Sequence, residues 1–476
     1  MKRHSHAPLS RRSFIRRSLG AGAALGALTG PQILSFAQGD MTLRAGEATV
    51  DSTPPKGIEL AGFHYPIGGN PRFITDIRQP TAVRALVLQQ NLTQVAILSI
   101  DILAVTTPMA ERVQKAVEAK TGIPAANVRL CATHTHSMPT FAYLRQWGTV
   151  PEEYMKLVEE KCLEAVTQAQ ADCAAAVMFT GGSPAEGGNF NRTIKTPAKT
   201  DGDFAAESTD DERWLDTLLQ VLYFERAEGK PGILWYHFSS HPVCYGDGLA
   251  GPDWPGLVAN RVKENFKMTP SFLQGHAGDV NPGDGVKWIG QAEPSANAVF
   301  TAIDRAMTKL EKVDVDVLRA MTRPFDMPLD IALYNQWLKE YEAAPEKCNN
   351  GNWVDAGFAK DWYEASRAKA WTSPTLAAPI SCIQLGNTAL AFHASELYSF
   401  YGLDIRHKSP FENTLVVGYA DGALGYVTDP KSYDPADGGN YGAVVVPKIL
   451  DIPPFTRETG RALAAGIGSL LRDTAV

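Results

Sequence analysis

Residues 128–140 read VRLCATHTHSMPT. Val128 to Thr133 has the composition of a strand. If the extended backbone continues, Val128, Leu130, Ala132, His134 and His136 share one face. That face begins apolar and ends in two imidazoles, in a chain with only 10 histidines. In open α/β sheets, reactive groups collect beyond the carboxyl ends of strands. The stretch therefore reads as a core strand that delivers a paired histidine site at its end. A lone histidine there is ordinarily a hydrogen-bonded structural residue, whereas two at i and i+2 point to chemistry.

The same design recurs along the chain. ILWYHFSSHPVCYGDG (233–248) runs from an apolar strand into His241, and LAFHASELYSFYG (390–402) runs into His393 and Glu396. SIDILAV closes its strand at Asp101, and FLQGHAGDVNPGDG (272–285) sets His276, Asp279 and Asn281 in a glycine-rich turn. Imidazole and carboxylate together suit zinc, and an open coordination position is what a metal hydrolase needs. No dinucleotide fingerprint, phosphate-cradling lysine loop or G-x-S-x-G elbow competes with this reading.

Around these stretches, strand-like and helical patterns alternate. Strands are expected at 83–89, 94–101, 128–133, 176–180, 233–239, 382–385, 389–393 and 414–418, the hairpin at Gly386-Asn387 among them. Helices are expected at 110–120, 152–171, 211–224, 258–266, 293–310 and 456–471. This is an α/β fold: a mixed β-sheet core with flanking helices, one large catalytic domain, and a metal site at the C-terminal ends of strands. One polar, helical stretch stands apart at 335–371, carrying Trp337, Trp353, Trp362 and Trp371, four of nine tryptophans. Either its aromatics cover a substrate or they anchor a helical pair.

The N-terminus speaks to location. SRRSFIR (10–16) matches the twin-arginine export pattern; a short Gly/Ala-rich apolar stretch, 19–34, and a small-x-small site at Ser35-Phe36-Ala37 follow. Residues 1–37 are thus expected to be a leader read by the Tat translocase, and the product periplasmic or secreted, without a stable membrane span. The leader holds six of the 45 basic residues and no acid, so the remainder carries 39 basic against 52 acidic residues, a net of −13. Such a chain is a poor partner for nucleic acid. Six dispersed cysteines with no C-x-x-C pair argue against a zinc ribbon, and one or two disulfides stay open.

With these residues in view, the sequence resembles the neutral ceramidases, zinc amidases that cleave ceramide to sphingosine and fatty acid. CATHTHSMP is similar to their A-T-H-T-H-S-G-P element, and AGEATVDSTPP (45–55) to their opening G-x-A-x-x-D-I-T segment. GGNFNRTIKTP (187–197) resembles N-R-S-P, FSSHPVCYGDGLAGPDWPG (238–256) the second-histidine strand, and GHAGDVNPG (275–283) the G-D-V-S-P-N loop. ALGYVTDPKSYDPADGGNYG (423–442) looks like the Tyr-Val-Thr-Thr…Glu-Tyr…Tyr-Glu stretch. The motifs keep their order over nearly all of residues 38–476. The resemblance implies one Zn²⁺ held by His134, His241, Glu396 and Tyr426, with His136 and Arg192 facing the scissile carbonyl.

Three departures accompany it. Asn281 stands where the family has a loop serine; an amide cannot be a nucleophile, so either metal-activated water attacks or the chemistry differs. Met138 replaces a glycine and is expected to add bulk beside the site, and Ala394-Ser395 replace Pro-Gly. The chain ends about 50 residues after Tyr426, so no C-terminal immunoglobulin-like domain is expected. The implied activity is hydrolysis of an amide in ceramide or another N-acyl lipid or small-molecule amide. The alternatives are a zinc hydrolase of the same scaffold acting on another ester or amide, and a metal-holding binding protein without turnover.

Overall fold

A computed structural model describes residues 41–476 except 67–68, 346–355 and 435–440. The leader, Cys348 and Trp353 lie outside the described residues. Two sheets form the centre. The larger runs in the order Ser271–Gln274, Ile233–Phe238, Leu218–Arg226, Ala174–Pro184, Arg44–Asp51, Ala82–Gln90, Thr93–Ile100, Val128–Ala132, with Glu311–Val313 added along Ala174–Pro184. The smaller runs Leu318–Arg323, Ile380–Leu385, Thr388–Phe392, Asn413–Val417. Pairing is mixed: Val128–Ala132 lies parallel to Thr93–Ile100, and Ile233–Phe238 to Ser271–Gln274, while most other neighbours are antiparallel.

Apolar patterning dictates how these layers stack. Leu86, Leu88, Val95 and Ile97 of the large sheet meet Ile383, Leu390, Leu415 and Val417 of the small one in a shared core. The opposite face of the large sheet is covered by Thr107–Thr121 and Glu152–Ala171 at one half and by Trp254–Phe266 and Ala292–Met307 at the other. Ser399–His407 and Thr459–Thr474 cover the outer face of the small sheet. The result is a four-layer α/β/β/α stack, so central strands are apolar on both faces.

That burial explains the main correction to the sequence reading. Residues 211–224 are not a helix; Leu218–Arg226 is a central strand paired on both sides. Its Leu222 and Phe224 enter the inter-sheet core while Leu219, Val221 and Tyr223 face helices. A doubly buried strand shows a continuous apolar run, which periodicity does not separate from a buried helix. Strands Arg44–Asp51 and Leu318–Arg323 had no counterpart in the sequence reading.

Elsewhere the signals were specific. Glu152–Ala171 buries Tyr154, Met155, Val158, Cys162, Ala165, Val166 and Ala169 along one stripe. Thr107–Thr121 begins at Thr106, whose side chain accepts from the Met109 N–H, and stops at Gly122 with φ +76°. The five cysteines among the described residues are free. None of the described helices is long and apolar enough to cross a membrane.

Candidate metal centre

The strand Val128–Ala132 does not carry its extended backbone into the histidine pair. Thr133 and His134 still donate N–H bonds to Ile100 and Ile102 at 2.9 and 3.0 Å, but His134 adopts φ +64°. Left-handed backbone at a non-glycine residue is strained and concentrates at functional sites. The alternation expected for His134 and His136 is therefore broken by a turn, and that turn is what brings both rings to one point. His136 donates its N–H to Pro242 O at 2.9 Å, tying it to the loop that bears His241.

The remaining groups arrive from other strand ends. His241 follows Ile233–Phe238, and its N–H donates to Val280 O in the loop after Ser271–Gln274. Glu396 follows Thr388–Phe392 and pairs in parallel with Tyr426, beyond Asn413–Val417. Arg192 follows Asn189–Asn191, which pairs with Val280–Pro282, and its N–H donates to Asp279 O at 2.8 Å.

Three backbone carbonyls set the chemistry of the histidines. Nδ1 of His134 faces Leu103 O at 2.8 Å, Nδ1 of His136 faces Gly62 O at 2.8 Å, and Nδ1 of His241 faces Val280 O at 2.9 Å. A carbonyl only accepts, so each Nδ1 carries the proton and each Nε2 presents a lone pair. Those lone pairs converge: the Nε2 atoms of His134 and His136 are 3.3 Å apart, and ligand atoms of all three rings lie within 4.8 Å of one another. Glu396 Oε2 sits 3.5 Å from Nε2 of His134 and 3.3 Å from Nε2 of His241. Facing lone pairs beside a carboxylate repel unless a cation lies among them. Imidazole nitrogens, each oriented by a carbonyl, with a carboxylate form a fitting donor set for a divalent ion such as zinc.

Electrostatics agree with neutral rings. Burial, then the neighbouring His134 and His241, pushes His136 well below the usual imidazole range, and burial with Arg192 brings His241 down to about 4. Burial raises the Glu396 carboxyl, and positive charge at His134 and His241 brings it well below the carboxylate range; with both rings neutral, that charge is what a bound cation would supply. Arg192 donates to Gly278 O at 2.8 Å, to the Tyr426 hydroxyl at 2.7 Å and to Asn281 Oδ1 at 3.2 Å. Tyr426 Oη is also 3.4 Å from His241 Nε2. The Asn281 amide is used at both ends, since its Nδ2 donates to Trp288 O. It stands beside the site as a brace for Arg192.

All seven residues singled out from the sequence thus meet here: His134, His136, Arg192, His241, Asn281, Glu396 and Tyr426. Other strand-end candidates do not. Asp101 accepts from Arg84 and the Ala82 N–H, His276 lies 2.9 Å from Asp216, Asp279 is bonded by Ser399 and Asn191, and His393 contacts Ser395. Met138 is fully buried in the core under the large sheet and adds no bulk to the site, contrary to expectation. Tyr419 had not been singled out. Its φ is +55°, its ring lies 4.3 Å from that of His134, and its hydroxyl is 3.5 Å from Glu396 Oε2.

A cavity of about 60 Å³ opens beside the centre. His134, His136, Glu396, Tyr419 and Tyr426 form one side of its lining; Leu103, Leu144, Trp147, Val446, Ile449 and Leu450 supply apolar walls. Nothing in the sequence patterns marked these walls, because they come from three separate segments, 103, 144–147 and 446–450. The tryptophans at 337 and 362 do not reach the cavity; they pack with Tyr334 between two helices, Ile331–Ala343 and Ala356–Ser366, as an anchored helical pair.

The chain matches no protein-family model and no curated protein sequence. Solved structures do match. A crystal structure of neutral ceramidase from Pseudomonas aeruginosa is similar with TM-score 0.67 and 17% identity, over 92% of this chain and 74% of that one. A structure of ceramidase complexed with C2 gives TM-score 0.65 and 17% identity, over 92% and 75%. The order of motifs read from the sequence and the architecture converge: this chain has the neutral ceramidase fold.

Proposed function

We propose that the protein is an exported, zinc-dependent hydrolase that cleaves the amide bond of ceramide or a related N-acyl compound. The observation that carries this reading is the convergence of three carbonyl-anchored imidazoles and one carboxylate at the edge of an apolar cavity. His134, His241 and Glu396 would hold the ion, with Tyr426 beside them. When bound, zinc supplies Lewis acidity toward the carbonyl and lowers the pKa of water.

The protein's own groups divide the remaining work. His136 is the least buried of the three rings and lines the cavity. Its free Nε2 accepts a proton from the attacking water as the C–O bond forms and the carbonyl pair moves to oxygen; it then passes the proton to the amine nitrogen as that pair returns and the C–N bond breaks. Tyr426 keeps its own proton, since burial raises its hydroxyl far above the ordinary range, and Arg192 fixes that hydroxyl as a donor toward developing negative charge. The apolar walls take the acyl group. Nucleophilic attack by the residue at 281 has no part, because an amide cannot attack.

The test is elemental analysis for zinc together with a panel of labelled ceramides, N-acyl amino acids and simple esters. Zinc-dependent release of fatty acid from an amide is expected. Hydrolysis of esters alone would sink the amide reading, and bound zinc without any turnover would leave a binding protein.

A further inference from the structure

The cavity wall opposite the metal-ligating side chains is gripped from behind by the tryptophan-rich helical pair. Residues 444–451 carry Val446, Ile449 and Leu450 on the cavity side. On the other side, Lys448 is 2% exposed; its Nζ donates to Val444 O at 3.0 Å and lies 3.8 and 5.3 Å from the ring centres of Trp337 and Trp362. Buried Arg145 reaches the same segment. It donates from N to Ile449 O at 2.8 Å, from Nε to Lys448 O at 3.4 Å and from Nη2 to Asp451 at 3.0 Å, while its Nη1 pairs with Asp361 of the helix Ala356–Ser366. A buried ammonium between two indoles and a buried guanidinium with three partners make this wall costly to displace.

The space it bounds is small. A dry apolar cavity of about 150 Å³ holds a benzene of six carbons. At the same carbon density, 60 Å³ takes about two or three carbons beyond a carbonyl. We propose that the helical pair, acting through Lys448 and Arg145, fixes the Ile449–Leu450 wall and so restricts the substrate to short N-acyl amides, acetyl to butyryl. Lys448, Trp337 and Trp362 are positioning residues in this scheme, and Ile449 and Leu450 determine chain length. The inference rests on the site being an acyl site.

Straight-chain hydroxamic acids from acetyl to dodecanoyl, titrated calorimetrically into the zinc-loaded protein, read the cavity without turnover. Each methylene that fits should tighten binding roughly fourfold, with the gain ending by four carbons in the wild type. Ile449→Ala should extend the series by two or three carbons at unchanged zinc content. Lys448→Met should flatten the cutoff while leaving acetohydroxamate binding within about twofold, with melting curves confirming that the variant folds. Affinity that climbs through dodecanoyl in the wild type overturns the proposal, as does a cutoff that Ile449→Ala leaves in place. The same chain lengths offered as N-acyl anilides separate this from the activity itself. A short binding cutoff with no anilide cleaved at any length refutes the amidase reading and keeps the cavity argument; cleavage of long and short chains alike does the reverse.

Discussion

Replacing His241 with alanine tests the centre most directly, because this ring is fully buried and its only evident task is to aim Nε2. Binding free energies for zinc held by a complete protein donor set run about 10–16 kcal/mol. Shared among four donors, each carries roughly 3–4 kcal/mol, so His241→Ala should weaken zinc about 10²- to 10³-fold. Stability reports the same event. At zinc near 1,000 times its dissociation constant the folded state gains about 4 kcal/mol. For the roughly 420 described residues the unfolding entropy near Tm is about 0.9 kcal/mol per degree, which converts that gain to about 4–5 °C. Wild type stripped of metal and then reloaded should therefore regain about one equivalent of zinc and that shift in Tm. His241→Ala should keep only about 0.4–1.4 kcal/mol of it, roughly 0.5–1.5 °C, at the same zinc concentration, while its metal-free melting stays close to that of metal-free wild type. A wild type that takes up no zinc and shows no thermal response, or a variant that binds as tightly as wild type, would refute the arrangement of donors.

Asp216 is a fully buried carboxylate held by Arg406 at 2.7 and 2.9 Å and by His276 at 2.9 Å, so Asp216→Asn should cost about 3–5 kcal/mol in urea unfolding with zinc content unchanged. Burial alone would raise the Asp216 carboxyl, but Arg406 and His276 hold it far below the carboxylate range; its contribution is present above the unfolded value and lost only as pH falls through the depressed one. Glu47 behaves oppositely: burial, then Asp172 against the opposing Arg226, lifts it from 4.5 to about 7. The stability it supplies is full below 4.5 and fades as pH rises through 7, so Glu47→Gln should flatten the unfolding free energy between pH 5 and 8. Asn281→Ser should leave zinc content unchanged, and Asn281→Ala should lower kcat by about 10-fold or more through loss of the Arg192 brace, with KM little altered; unaltered kcat in Asn281→Ala would remove that residue from the site.

How much of this was legible in the sequence follows from where information is stored. Candidate side chains are written in the residue types: His134, His136, His241, Asn281 and Glu396 stood out at strand ends and in a glycine-rich turn, whereas Arg192 and Tyr426 came only through the resemblance to the neutral ceramidases. What the sequence does not display is backbone. The carbonyls of Gly62, Leu103 and Val280 decide that three imidazoles offer Nε2 lone pairs, and nothing in those residue types marks them as partners. The left-handed backbone at His134 is equally silent in the letters, although histidine tolerates it better than most residues.

The same distinction accounts for the misread element and for the cavity. Leu218–Arg226 is apolar on both faces because a second sheet lies over it, and the presence of that sheet is a tertiary fact that no local period encodes. Met138 looked like an obstruction because it neighbours the histidines in sequence, yet the turn at His134 sends its side chain into the core. Of the two readings open for Trp337 and Trp362, substrate cover or anchors of a helical pair, the second holds, and the two rings clamp Lys448 one layer behind the wall that lines the cavity. Sequence neighbours of a catalytic group are thus weak guides to specificity in this fold. The residues that wall the cavity come from 103, 144–147 and 441–450, segments whose common address exists only once the two sheets have closed on each other.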